Sequence, residues 1–115
     1  MAIFAEHFDA DVLESAVVYD GRVPRWLRDD ADAVVLGKRI YIRPNVYIPG
    51  TAMGVKLLAH ELVHVEQFSK GMNIFTYLLA SRRGYWKNRY EVEARDRAKV
   101  IVTSFCKSNP GAVGC

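Results

Sequence analysis

Short runs of β-branched and aromatic residues dominate the first part of the chain. Residues 14–20, ESAVVYD, predict a strand closed by a turn. Residues 31–37, ADAVVLG, and 38–44, KRIYIRP, predict a β-hairpin with its turn at Gly37-Lys38. Between the first strand and the hairpin, residues 24–30, PRWLRDD, predict a short helix, because proline suits a first helical turn.

Helical segments follow the strands. Thr51 is suited to cap a helix that runs to about Ser69, and Gly71 is suited to end it. Residues 73–83 predict a second helix and residues 88–105 a last one. Strands first and helices after predict an α+β fold with a short antiparallel or mixed sheet.

Length and composition predict one compact domain over residues 1–115. Half of the residues are hydrophobic and a quarter are charged, as in ordinary soluble proteins. Neither a signal peptide nor a spanning segment is recognisable, so we expect a cytoplasmic chain without a membrane partner. Two cysteines near the end do not make a disulfide framework, and the pairing of Cys106 and Cys115 stays open, as does a non-classical export route.

Charge is distributed unevenly along the chain. Residues 1–32 carry eight acids and three Arg, a balance of −5, and residues 33–115 carry thirteen Lys or Arg and five acids, a balance of +8. In residues 81–99 bases outnumber acids seven to three. We interpret this segment as a solvated helix face that pairs with the acidic part. Nucleic-acid binding is a weaker alternative, since no recognition helix or RNA-binding signature accompanies it.

The segment HELVH places two of the three histidines four residues apart. On a helix, His60 and His64 share one face and can direct both imidazoles to one point. Imidazole nitrogen is a good zinc ligand, and Glu61 can reach a water bound to the same metal and take its proton. The alternative is a buried helix whose histidines are satisfied by packing contacts. Buried His and Glu side chains need partners, which favours metal binding.

A catalytic zinc site usually has a third protein ligand. His7 lacks motif spacing, and we interpret it as a surface or capping residue. Glu91 shares a helical face with small and apolar residues that let two helices approach, whereas Glu93 is expected to project towards Arg97 and solvent. The sequence therefore predicts His60, His64 and Glu91 as the ligand set; the residues on the face of Glu91 are Ala94, Ala98, Ile101 and Phe105.

HELVH followed by EVEARDRA resembles the gluzincin metallopeptidases, and in particular the small minigluzincins. AHELVHVEQ also resembles the zincin-like domain in core proteins of bacterial contractile injection systems. The resemblance covers about residues 14–100. It implies one zinc ion per chain, ligated by His60, His64 and Glu91, with Glu61 as general base and acid. It also implies that RIYIRP, residues 39–44, is an edge strand that binds a peptide or protein substrate by β-augmentation.

The second motif departs from the family pattern. Related sequences often have Asp or Asn where this chain has Arg95, with Asp96 one position further on. The acid that usually orients a metal-bound imidazole is then missing or displaced, which predicts weaker catalysis. Tyr85, Asn88 and Tyr90 could each donate a hydrogen bond to the oxyanion, although Tyr85 and the neighbouring Trp86 are also typical of packing aromatics.

These observations lead to two functional expectations. The first is a zinc metalloendopeptidase, and the second is a zinc-binding assembly or interaction module with little or no turnover. The tail, CKSNPGAVGC or residues 106–115, is expected to be non-helical. It either folds over the cleft, which would make the enzyme latent and could bring the Cys115 thiolate to the metal, or it is a frayed terminus.

Overall fold

The computed structural model describes residues 2–115 and has the predicted α+β architecture, with a three-stranded mixed sheet followed by helices. Within these residues, the order along the chain is α1 (Ala2–Ala5), α2 (Ala10–Ser15), β1 (Val17–Asp20), β2 (Ala33–Leu36), β3 (Arg39–Ile42), α3 (Ala52–Ser69), α4 (Ile74–Ala80) and α5 (Arg89–Ser108). Two short 3₁₀ helices, Ser81–Arg83 and Tyr85–Lys87, join α4 to α5.

The sheet has the strand order β1-β3-β2. Strands β2 and β3 form the predicted antiparallel hairpin, and β1 pairs in parallel with the other side of β3. The expectation that residues 39–44 form an edge strand is therefore wrong. The hairpin pattern alone leaves one edge of β3 unpaired. The segment that connects β1 to β2 allows β1 to form hydrogen bonds with that edge.

The chain on either side of β1 differs from the prediction in two places. The strand expected from residue 14 begins at Val17, because α2 continues to Ser15. Residues 24–30 form turns instead of a helix. The Arg43 side chain donates hydrogen bonds to the backbone carbonyls of Leu27, Arg28 and Ala31. These carbonyls are therefore satisfied without helical hydrogen bonds.

Helix α3 has almost the bounds that its sequence predicts. The hydroxyl of Thr51 accepts a hydrogen bond from the Gly54 N–H at 3.0 Å, which caps the first turn. At the other end Gly71 has a φ of +107°, a conformation that glycine adopts without strain. The helix lies between the sheet and α5, and both of its apolar sides are covered.

The core lies where α3, α5 and the sheet meet. Ala94 and Ala98 on α5 are fully buried, so the backbones of α3 and α5 approach closely. On the other side of α3, Ile40 and Ile42 from the central strand are also fully buried. Aromatic and apolar residues of α1 and α2 complete this cluster, namely Phe4, Phe8 and Val12. None of the helices in residues 2–115 has the length and apolar character that crossing a membrane requires.

The tail lies far from the predicted cleft. Helix α5 extends to Ser108, and Cys106 forms a disulfide bond with Cys115. The carbonyl of Val113 accepts a hydrogen bond from the Ala52 N–H at 2.9 Å. The tail therefore rests on the first turn of α3, about 12 Å along the helix from His60 at 1.5 Å per residue. The tail therefore does not cover the cleft, is not frayed and does not bring the Cys115 thiolate to the metal. All three expectations are wrong.

Candidate metal centre

The structure brings His60, His64 and Glu91 together, as the sequence predicts. The Nε2 atoms of His60 and His64 each lie 3.0 Å from Oε1 of Glu91. Candidate ligand atoms of the three residues all lie within 4.8 Å of one another. The two histidines occupy successive turns of α3, and Glu91 lies in the first turn of α5. This group could hold a metal ion.

Two histidines and a tyrosine form close hydrogen bonds with the Glu91 carboxylate. Besides the two histidines on Oε1, the Tyr77 hydroxyl donates a hydrogen bond to Oε2 at 2.6 Å. Burial favours the neutral acid, but the hydrogen bonds from His60, His64 and Tyr77 outweigh it and hold the pKa of Glu91 well below its usual range. Glu91 is therefore a carboxylate at neutral pH, which is the form that binds a cation.

His64 has its second ring nitrogen fixed by Gln67. Burial lowers the pKa of His64, but the hydrogen bond and the negative charge of Glu91 outweigh burial and raise the pKa above its usual value. Nδ1 of His64 lies 2.8 Å from Oε1 of Gln67. The Gln67 amide donates to two acceptors, the Tyr90 carbonyl at 3.0 Å and Oε1 of Glu93 at 2.7 Å. Its oxygen must therefore face His64, so Nδ1 carries a proton and Nε2 points to Glu91.

The contacts around Gln67 correct one expectation. Glu93 was expected to pair with Arg97, but Glu93 accepts from Gln67 and Arg97 forms its ion pair with Glu66. Gln67 on α3 binds the imidazole directly, so His64 has an orienting partner although Arg95 stands where related sequences often have an acid. Partners of this kind set the tautomer and direction of a metal-binding imidazole.

Glu61 is buried beside the two histidines. Burial raises its pKa, and nearby His64 and His60 offset only part of that effect. Asp32, immediately before β2, is close enough to add to the rise. A carboxyl group with a raised pKa suits proton transfer near neutral pH.

Asn88 has a structural role that excludes it as a free donor. Its side chain is fully buried and caps α5, where Oδ1 accepts from the Tyr90 N–H at 2.8 Å. The amide nitrogen donates to the Tyr77 carbonyl at 3.2 Å and to Oγ of Ser81 at 2.7 Å. Asn88 thus joins α4, the following 3₁₀ helix and α5, and it places Tyr77 and Glu91 next to each other.

Tyr85 and Trp86, which precede α5, are exposed. The interpretation of both as packing aromatics of the core is therefore wrong. Trp86 is 69% exposed, and the Arg95 guanidinium lies 3.8 Å from its ring centroid. Tyr85 is 56% exposed, and burial together with the charge of Glu91 raises its pKa to about 12. Tyr85 therefore keeps its phenolic proton near the cluster, and it remains a candidate donor to an oxyanion.

Two residues at the site, Tyr77 and Gln67, were not predicted from the sequence, whereas His7 lies outside it as expected. Tyr77 was interpreted only as part of an apolar helix, and its contact with Glu91 spans fourteen positions of the chain. Gln67 was detectable, because it follows His64 by three positions on the same helical face. His7 is half-buried, and its carbonyl accepts a hydrogen bond from Arg97 at 3.2 Å. It does not belong to the cluster.

The N-terminal part of the chain matches a known protein family. The model of the eCIS core domain matches residues 1–72, which is 72 of 115 residues and more than half of the chain. The matched region contains His60, Glu61 and His64 and ends before Glu91. No curated protein and no solved structure matches the chain. The chain belongs to the eCIS core domain family, which relates it to core proteins of contractile injection systems.

Proposed function

We propose that the protein is a zinc-dependent metallopeptidase of gluzincin type that hydrolyses peptide bonds in a peptide or protein substrate. The observation that carries this proposal is the convergence of His60 and His64 on the ionised carboxylate of Glu91, beside a buried Glu61. Two imidazole nitrogens and one carboxylate oxygen form a ligand set that suits catalytic zinc and leaves a position for water. We propose one zinc ion per chain.

The roles of the residues follow from their positions. Bound zinc supplies a Lewis acid and lowers the pKa of water towards about 7. Glu61 accepts the proton of the water that attacks the peptide carbonyl and returns it to the amine as the C–N bond breaks. Burial raises the pKa of Glu61, which favours the return of that proton. Tyr85, whose hydroxyl interacts with Glu91, is the proposed donor to the oxyanion.

The substrate would bind along β2 instead of β3. Since β3 is central, the unpaired strand edges in residues 2–115 belong to β1 and β2. Of these two edges, that of β2 belongs to a strand that packs against α3, the helix that carries Glu61. An extended peptide that pairs with β2 would therefore pass the candidate centre, and its main chain would supply the hydrogen bonds of β-augmentation.

A second candidate function is a zinc-binding assembly module without turnover. The family relation to contractile injection systems favours it, because the proteins of an injection system must assemble. In this case the cluster stabilises the junction of α3, α4 and α5, and metal binding contributes folding free energy. Both candidates need the metal, and only the first needs Glu61 as a base.

The Cys106–Cys115 disulfide also bears on where the protein works. Thiols in the cytoplasm of most organisms are kept reduced, and disulfides persist in oxidising surroundings. We therefore propose that the protein acts after export, in place of the cytoplasmic location that the sequence suggested.

The decisive experiment combines metal analysis with a peptidase assay. Protein purified without a polyhistidine tag should contain about one zinc per chain and cleave an unstructured protein such as casein. Glu61→Gln should retain the zinc and lose about 10²–10⁴-fold in rate, because an amide cannot accept the proton. Asp96→Asn, an exposed carboxylate on α5, is the matched control and should keep both properties.

The outcomes separate the candidates. Zinc without hydrolysis in either parent or variant supports the assembly module. Folded protein that takes up no zinc from zinc-containing buffer overturns both candidates, and equal hydrolysis in parent and Glu61→Gln removes Glu61 from the mechanism.

A further inference from the structure

Helix α4 presents its large apolar side chains outwards. Its outer face consists of Ile74, Phe75, Leu78 and Leu79, which are 64%, 79%, 58% and 63% exposed. The opposite face, with Thr76, Tyr77 and Ala80, is half-buried and adjoins the candidate metal centre. Soluble proteins seldom leave contiguous apolar faces uncovered, so this face is a candidate interaction surface.

The outward face is built into the fold. Asn73 caps α4 by accepting hydrogen bonds from the N–H groups of Phe75 and Thr76, and Thr76 returns a bond to the Asn73 N–H. Tyr77 fixes the rotation of the helix through its bond to Glu91. The helix can therefore keep its orientation although none of its residues is buried.

The chain segment around α4 carries positive charge only. Residues 67–90 contain five Lys or Arg and no acid. Four of these cations line one groove together with Thr76, Leu79 and Ala80, namely Arg82, Arg83, Lys87 and Arg89. The exposed Tyr85 and Trp86 belong to the same connection between α4 and α5. Aliphatic residues, interfacial aromatics and cations without acids are the combination that binds an anionic lipid surface.

A second copy of the chain is a poorer match for this surface. The acidic residues of α1, α2 and their connection are exposed, but the large apolar residues of the same segment are buried: Phe4, Phe8 and Val12. That segment complements the charge of the α4 region but offers little apolar surface to cover α4. A bilayer with anionic headgroups offers both.

We propose that residues 74–89 form a peripheral binding site for anionic membranes, in which the apolar face of α4 enters the headgroup region and the four cations contact lipid phosphates. This kind of binding needs no spanning helix. The sequence-based expectation of no membrane partner depended on the lack of such a helix. The proposal does not depend on zinc or on hydrolysis.

The test is flotation of the full-length protein with vesicles of phosphatidylcholine, alone or mixed with phosphatidylglycerol. The protein should float only with the anionic vesicles, and added salt should weaken the binding. Phe75→Ser with Leu79→Ser should reduce binding more than about tenfold. The matched control, Met53→Ser with Val100→Ser, changes residues that are 81% and 61% exposed on α3 and α5 and should bind like the parent.

The cations are tested separately. Arg82→Ala with Arg83→Ala should weaken binding about 25-fold, at about fivefold for each cation removed near an anionic surface. Lys99→Ala with Lys107→Ala removes the same charge from exposed positions on α5 and should have a smaller effect. In a Trp26→Phe background, the fluorescence of Trp86 should shift to shorter wavelength when anionic vesicles are added.

Three results would overturn the proposal. The first is no flotation with anionic vesicles, and the second is equal flotation of the parent and the α4 variants. The third is self-association in sedimentation that the α4 substitutions abolish, which would assign the face to a second copy of the chain. Circular dichroism of each variant shows that the fold is kept. Glu61→Gln should float like the parent, so failure of the proposed peptidase function is distinguishable from failure of membrane binding.

Discussion

Gln67 connects the candidate metal centre to the rest of the molecule. It accepts from Nδ1 of His64 and donates to α5 through the Tyr90 carbonyl and Glu93. A buried amide with all of these bonds holds the imidazole in one tautomer and one direction. The geometry of His64 therefore depends on residues that do not touch the metal position.

We expect Gln67→Leu to lower zinc affinity about 10–100-fold, because Nδ1 of His64 loses its acceptor while the ligands remain. Titration against a chromophoric chelator measures this loss. Glu93→Ala should have a smaller effect, since Gln67 keeps its bond to the Tyr90 carbonyl. An affinity of Gln67→Leu equal to that of the parent would show that the amide does not orient the ligand.

At the scale of elements, the close approach of α3 and α5 determines whether the ligands meet. The histidines belong to α3 and the carboxylate to α5, so the separation of the two helices sets the distance between Glu91 and both imidazoles. Ala94 and Ala98, both fully buried, allow that separation to be small. The connection through α4 adds Tyr77, which binds the second oxygen of Glu91.

Ala98→Leu should therefore weaken zinc binding although Ala98 lies two turns from Glu91. The larger side chain has no room, so we expect a loss of about 1–3 kcal/mol in the free energy of unfolding and a wider separation of α3 and α5. Thermal melts with and without zinc, together with chelator titration, measure both effects. Val100→Leu, at a 61% exposed position of the same helix, is the control and should change neither. If Ala98→Leu lowers stability but leaves zinc affinity unchanged, the spacing of α3 and α5 does not control metal binding.

At the scale of the whole molecule, the two long helices are joined at both ends by different chemistry. At one end, His60 and His64 of α3 meet Glu91 of α5. At the other, the Cys106–Cys115 disulfide and the bond from Ala52 to Val113 hold the tail between α5 and the start of α3. The two ends are about 12 Å or more apart along the helices, so they should respond independently.

Replacing both cysteines, Cys106→Ser with Cys115→Ser, should lower the free energy of unfolding by about 2–3 kcal/mol, the value for a short closed loop. Zinc affinity should stay that of the parent. Denaturant unfolding and chelator titration of the oxidised parent, the reduced parent and the variant test this. Loss of zinc on reduction alone would contradict the independence of the two ends.

Local features of the chain determined much of the fold and part of the site. The cap residue Thr51 and the glycine at position 71 predicted the two ends of α3 correctly, because these signals act within a few residues. The spacing of His60 and His64 placed both imidazoles on one face, and the face shared with Ala94 and Ala98 selected Glu91 over Glu93. Helical periodicity is enough for both conclusions.

The tertiary structure alone decided what depends on contacts between distant segments. It placed β1 beside β3, which moved the free strand edge near Glu61 to β2, and it brought Tyr77 to Glu91. It also turned the apolar face of α4 outwards, which the prediction of a helix over residues 73–83 left undecided. Periodicity shows which residues share a face but not which way that face points, because the direction depends on what the rest of the chain leaves uncovered.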